Sequence, residues 1–339
     1  MKIRRIVATR GFAESPGMGD KAVPAMFPFA LRRLALLLAT ALVASLGIFC
    51  ALEALPGDAA QTMLGETATP EAVAALTHKL GLDQPFIERY AHWIGGASHG
   101  DFGQSSAYDS PIGPLLGQAA AVSVPLAILA TLIGVAIALP AGAAAAGGRG
   151  TRRDAAIVAA SQIGLAAPSF WVAILLVLVF AVRLRWAPAG GFPGWDHPRE
   201  ALGALLLPAL ALAAFQGAVL TRVIRSALIE AMGEEFFRTA RAKGLSKRAA
   251  LWRHALPNAL APALTILGLQ FANLVAGAVV VENVFVLPGL GRLIFQAVSN
   301  RDTLVVADAT MLLVAMVILV SFAVDLACAV IDPRWRGAS

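Results

Sequence analysis

Charge is scarce in this chain: only 14% of its 339 residues are Asp, Glu, Lys or Arg, against about 25% in a soluble domain. Aromatics are scarce as well, at 7%, with only two tyrosines. The first shortage excludes an ordinary soluble fold. The second leaves Ala, Leu and Val to supply the apolar mass, a mixture suited to membrane helices whose backbones approach closely. The two cysteines, Cys50 and Cys328, lie in apolar runs near opposite ends of the chain, which argues against a disulfide and against a metal site. The five histidines are scattered. His92 and His99 share a loop, but two such residues do not make a ligand set. Signatures of catalysis are missing: there is no G-x-x-x-x-G-K-[ST] and no H-E-x-x-H. The run Gly147-Gly148-Arg149-Gly150 lacks the Lys and hydroxyl residue of a phosphate loop. No enzymatic activity, cofactor or resident metal is expected.

What the chain has in abundance is apolar length. Hydrophobic residues make up 58%, and the mean hydropathy is +0.73. A membrane helix takes about 20 mostly apolar residues, and six segments meet that need: 34–52, 119–146, 155–182, 201–221, 261–281 and 305–330. Pro125, Pro168 and Pro208 fall inside spans, where neighbouring helices can satisfy the freed carbonyls; kinks are expected, not breaks. Glu53, Glu282, Asp308 and Asp325 border the spans, and interface solvation accounts for them. The central spans lack the acid–base chain of a proton-coupled carrier.

Placing the N-terminus inside puts 20 Lys and Arg in segments 1–33, 147–154, 222–258 and 331–339, and 7 in the opposite loops. Such a bias sets orientation and predicts both termini in the cytoplasm. It also explains the net charge of +6 without nucleic acid, since no basic stripe with interleaved aromatics occurs. A cleaved signal peptide is not expected, because the first apolar run begins only at Leu34. Residues 1–25 read as a disordered extension, and Met26 is an alternative start. Residues 26–117 hold the first span and a helical extracytoplasmic loop, 118–331 hold the five-helix core, and 332–339 form a cytoplasmic tail. In the outer loop, Thr69-Pro70-Glu71 opens one helix that Gly81 closes. A second starts near Pro85 and carries Phe86, Tyr90 and Trp93. This region reads equally as a packed cap or as a docking surface.

The cytoplasmic connection 222–258 carries the most information. Residues 234–243 are helix formers. Phe236, Phe237, Ala240 and Gly244 lie near one face, Gly244 supplies a left-handed cap, and Ser246 caps a second helix ended by Pro257. A lipid-surface hairpin would need bulky apolar anchors along its length. Ala240, Ala242 and Gly244 instead suit close approach of another protein.

At this loop the sequence resembles the type I permease subunits of ATP-binding-cassette importers. Their hallmark reads Glu-Ala-Ala, three residues, Gly, nine residues, then Ile-x-Leu-Pro. Ala240, Gly244, Leu256 and Pro257 match, while Arg238, Thr239 and His254 depart. Those departures resemble the dipeptide, oligopeptide and nickel branch. Supporting pieces are PGD at 56–58, GLDQP at 81–85, GDFGQS at 100–105, PSFW at 168–171, PAGG at 188–191, PGLGR at 288–292 and DPR at 332–334. The resemblance covers residues 31–336.

It implies an all-α membrane protein with six transmembrane helices in the type I importer permease fold, multi-pass in the inner membrane. The partners implied are a second related permease (or another copy of this chain), two cytoplasmic ATPases that bind the ATP, and an extracytoplasmic solute-binding protein. ATPase coupling would fall to Glu235, Arg238, Thr239, Ala240, Arg241, Ala242, Lys243, Gly244, Leu256 and Pro257. Gln162, Gln216, Gln270 and Asn273 are candidates to face the translocation path. Di- and oligopeptides are the leading cargo, ahead of nickel chelates, opines or glutathione-like solutes. An ion-coupled carrier and a membrane scaffold without transport activity are the rival classes.

Overall fold

The computed structural model describes residues 23–54, 64, 68–79, 81 and 83–331. Residues 1–22 of the expected extension, the PGD motif and the tail 332–339 lie outside them. Helix α1 (Val23–Glu53) opens the described chain. Two short helices follow, α2 (Pro70–Lys79) and α3 (Phe86–Ser98). A small antiparallel pair, β1 (Gln104–Ser105) and β2 (Ser110–Pro111), leads into α4 (Ile112–Gly147). Next come α5 (Arg152–Ala166), α6 (Ser169–Leu176) with its π-helical continuation Val177–Arg183, and α7 (Pro198–Ala231). The following segment holds α8 (Glu235–Ala242) and the short α9 (Lys247–Ala250). A π-helical turn, Leu251–Ala255, joins α9 to α10 (Leu256–Val284). The chain then runs through α11 (Leu290–Ser299) into α12 (Thr303–Ile331). Among the described residues, five helical stretches are long and apolar enough to cross a membrane, and α5 with α6 supply the sixth span.

Small residues set the packing. A β-carbon at Gly217 of α7 would lie 3.3 Å from the Gly134 carbonyl oxygen of α4, and one at Gly142 would lie 2.8 Å from Ile224 Cγ2. Glycine at these points lets α4 and α7 touch along their length, the small-residue contact typical of membrane bundles. A central cluster around Leu126, Leu205, Leu212, Phe271 and Phe285 ties α4, α7 and α10 together. An outer cluster joins Ile112 and Leu116 to Leu290, Leu293 and Val305. Helix α1 lies at the edge: Arg33 pairs with Asp325 at 3.1 Å, and Phe49 packs among Phe86, Tyr90 and Trp93 of α3. The outer loop is thus packed onto α1 through α3.

Three expectations change. At Pro125 and Pro208 the helix continues, but at Pro168 the third span breaks, with α5 and α6 meeting at 101°. The proline ring disfavours helical backbone in the residue before it, and Ala167 is extended at φ −80°, ψ 121°. The expected connection 222–258 is shorter, because α7 runs on to Ala231 and helix resumes at Lys247. Pro257 does not end the helix that Ser246 caps. It follows the π-helical turn, whose wider coil accommodates the missing N–H and the ring, and the helix carries on to Val284.

The bordering acids also differ. Glu53 pairs with Arg89 at 2.8 Å and Asp325 with Arg33, but Glu282 and Asp308 are 1% and 2% exposed. Neither is solvated at an interface. Asp308 accepts from Trp93 Nε1 at 2.7 Å, joining α12 to α3.

Candidate functional site

The segment between α7 and α10 is built into the core. Helix α8 ends on Gly244, whose φ of +89° is the left-handed conformation that glycine adopts without strain. Gly244 N donates to Arg241 O at 3.0 Å and Leu245 N to Ala240 O at 3.3 Å, the paired bonds of a Schellman cap. The Arg241 guanidinium also donates to Leu245 O. Ser246 Oγ then accepts from Ala249 N at 3.2 Å and starts α9, and Lys247 Nζ reaches Gly147 O at the end of α4 at 2.7 Å.

Within α8, Phe237 and Ala240 point inward, joining Leu228, Leu251 and Ala255 in a further apolar cluster. The other face is open: Glu235, Phe236, Arg238, Thr239, Arg241, Ala242, Lys243 and Gly244 are exposed. This corrects the reading of Ala240 as a point of close approach for another protein. Its small side chain serves contacts within the chain. Phe236, expected on the same face, is exposed instead, while Phe237 is buried. Leu256 is half-buried and Pro257 exposed, both on the helix that continues into α10.

The four polar residues singled out within spans line two adjoining clefts. Gln216, Gln270 and Asn273 share a cleft of about 400 Å³ with the break at Ala167 and Pro168. Gln162 lines a second, of about 560 Å³, with Arg222, Arg225 and Ser226. Leu165 borders both. Asn273 Nδ2 donates to Gln270 Oε1 at 3.0 Å. Gln216 is 1% exposed, and neither atom of its carboxamide has a hydrogen-bond partner.

Three further polar arrangements were hidden in the sequence. Arg225 donates to both oxygens of Asp154, at 2.6 and 2.9 Å, clasping α5 to α7 beneath the second cleft. With 71 positions between them, nothing in the sequence pairs these two residues. Asp302 accepts from Ser105 Oγ at 2.6 Å and from Ala107 N at 3.1 Å, holding the hairpin to the start of α12. Glu282 anchors the turn into α11: its Oε1 accepts from Ser123 Oγ at 2.5 Å, and its Oε2 from Gly291 N at 2.8 Å and Arg292 N at 3.2 Å. The signal for the last was present, since Pro288-Gly289-Leu290-Gly291 opens a helix whose first N–H groups need an acceptor.

The described residues contain no cluster of three or more His, Cys, Asp or Glu side chains able to hold a metal ion. With these sites placed, comparison with known proteins identifies the family. Residues 138–337 match the family of binding-protein-dependent transport system inner membrane components, and residues 26–133 match the N-terminal region of such membrane components. A Brucella abortus (strain 2308) protein, provisionally named a peptide transport system permease, is 37% identical over 307 residues, covering 90% of this chain and 98% of its own. The dipeptide transport system permease protein DppB of Escherichia coli (strain K12) is 34% identical over 336 residues, covering 92% of this chain and 99% of its own. The inward-facing MetNI methionine ABC transporter shares the fold, with a TM-score of 0.51 and 20% identity over 64% of this chain and 96% of its own. By a match that spans more than half of its length, the chain belongs to the binding-protein-dependent transport system inner membrane components, the permease subunits of ATP-binding-cassette importers.

Proposed function

We propose that this permease carries di- and oligopeptides inward, and that the exposed face of α8 receives the ATPases that drive it. The observation that carries the coupling role is the seating of Phe237 and Ala240 among residues of α7, the π-helical turn and α10. A push on the outer face of α8 is thereby delivered to the helices that border the clefts. Close-packed interiors switch between discrete arrangements and do not yield gradually. That behaviour suits alternating access. Cationic Arg238, Arg241 and Lys243 on the open face would meet ATPase groups, and the small Ala242 and Gly244 leave room for them. ATP is held by those partners, and this chain contributes no nucleotide site. An extracytoplasmic binding protein and a second permease, related or identical, complete the assembly.

The peptide assignment is supported by the names of the relatives and by the cleft at the helix break, whose lining holds no charged side chain. Deleting the gene should abolish di- or oligopeptide uptake by the cells, and a plasmid copy should restore it. Intact peptide import beside failed nickel uptake would reassign the cargo.

Orientation follows from the Lys and Arg bias. A reporter fused after Gly148 or at Lys247 should be cytoplasmic, and one at Gly96 of α3 should lie outside. A cytoplasmic signal at Gly96 would contradict the six-span arrangement.

A further inference from the structure

The broken third span and the buried amide opposite it form one site. Among the described spans, only α5–α6 bends by more than 40° at such a break. A broken helix leaves backbone groups without helical partners on both sides. The last carbonyls of α5 lose donors because the chain leaves the helix and Pro168 has no N–H, and the first N–H groups of α6 have no preceding turn to bond. Irregular backbone at membrane depth is tolerated where it borders a cavity. Here it borders the cleft of about 400 Å³ shared with Gln216, Gln270 and Asn273.

Gln216 gives that cleft its chemical character. It lies near the middle of α7, between α4 and the cleft, and a β-carbon at Gly134 would come within 3.6 Å of its Oε1. The side chain is 1% exposed, yet Oε1 and Nε2 are both unpaired. A carboxamide offers an acceptor and a donor side by side, and burying both unpaired is unfavourable unless some state of the protein supplies the partner. Gln270 and Asn273 partly satisfy each other and cannot be the sole answer. No charged side chain lines the cleft, so it does not select the charged ends of a solute. The complement to a neutral paired donor and acceptor is another neutral amide, while Leu212, Phe215 and Leu274 give apolar walls for side chains.

We propose that Gln216 is a solute-contacting residue: in passage its Nε2 donates to a backbone carbonyl of the peptide and its Oε1 accepts a backbone N–H. This inference rests on the peptide reading above.

The test uses the whole transporter in liposomes, with both permeases, the ATPases and the binding protein, at solute concentrations that saturate the binding protein. Uptake of alanyl-alanine is compared with uptake of alanyl-sarcosine, whose amide is N-methylated and cannot donate. Gln216→Leu removes both bonds and should lower alanyl-alanine uptake per ATP hydrolysed by roughly thirtyfold, the worth of about two hydrogen bonds. Alanyl-sarcosine keeps the carbonyl that accepts from Nε2 and lacks only the N–H, so its uptake should fall by only about fivefold, one bond, and hydrolysis stimulated by the loaded binding protein should persist. If the leucine variant does not assemble, Gln216→Met removes the same amide with a flexible chain of similar length. Unchanged uptake of both solutes, or an equal fall in both, would overturn the contact and leave the peptide permease standing. Failure of the wild-type complex to move either solute would remove the peptide reading and this site with it.

Discussion

Replacing Glu282 with leucine should strip most of the protein from the membrane fraction, while glutamine should be accepted. The carboxylate is 1% exposed and takes three donors: the Ser123 hydroxyl, Gly291 N–H and Arg292 N–H. Leucine fills the space and leaves them without that acceptor. Each buried polar group so orphaned costs about 1–3 kcal/mol, and a typical protein has only about 5–15 kcal/mol in hand. The surroundings cannot close in to compensate. A β-carbon at Gly289 would overlap the Glu282 carboxyl group, and one at Gly291 would overlap the Val279 backbone, so α11 is already pressed against α10. Glutamine behaves differently because of which oxygen does what. Its remaining oxygen can take the place of Oε2 and keep both backbone bonds. Its NH₂ then faces Ser123 Oγ, a hydroxyl able to accept and already accepting from Leu290 N at 2.8 Å. Detergent extraction followed by thermal unfolding of the three proteins measures this. Equal yield and melting temperature for wild type and Glu282→Leu would show that the network is dispensable.

The contrast between Glu282 and Gly244 shows what the sequence makes legible. Apolar runs located all six spans, because length and hydropathy are local properties. Gly244 was readable as a left-handed cap because the helix signal stops there and only glycine takes that conformation cheaply. Thr69 and Ser246 were readable as caps for the same local reason, and each accepts from the N–H three residues on. Glu282 was misread as a solvated border residue. The start of α11 signals a need for an acceptor, but that Glu282 is buried there also depends on Ser123, 159 positions away, which no local pattern reports. The break at Pro168 was underestimated because proline within a span is compatible with either a kink or a break. Neighbours decide between them: a β-carbon at Gly164 would lie 3.0 Å from Ala218 Cβ and 3.2 Å from Ala214 O, so α5 is held to α7, and α6 is held to α7 separately through Ala173 in the central cluster. The inward turn of Ala240 was equally invisible, since a small residue suits a partner's approach and an intrachain contact alike. The Gln216–Gln270–Asn273 grouping was partly visible as uncharged polarity inside spans, but its meeting with the helix break is a property of the fold.

Gly244→Val should leave the protein inserted and folded while ATP-driven transport collapses. A side chain in the left-handed region costs roughly 1–2 kcal/mol, and a β-branched one is among the least tolerant. No heavy atom lies within 4 Å of where the new β-carbon would sit, so nothing in the core is displaced. The strain is relieved locally by unwinding the cap, which shifts Arg241 and Lys243 on the open face. Ala240→Glu makes the useful contrast. Ala240 is 5% exposed and packs in the apolar cluster with Phe237 and Leu251, so a carboxylate there is buried without a partner, at a cost of several kcal/mol. That variant should fail in folding and yield, before docking is ever reached. Valine at 244 should fail in coupling with yield intact.

The most direct measurement is therefore co-purification of the ATPases with the Gly244→Val permease, joined to solute uptake by the same complex in liposomes. The coupling account predicts near wild-type permease in the membrane, ATPase recovery or its response to the loaded binding protein sharply reduced, and uptake down by roughly tenfold or more. Normal ATPase recovery together with normal uptake would show that α8 and its cap are not where the ATPases act on this permease.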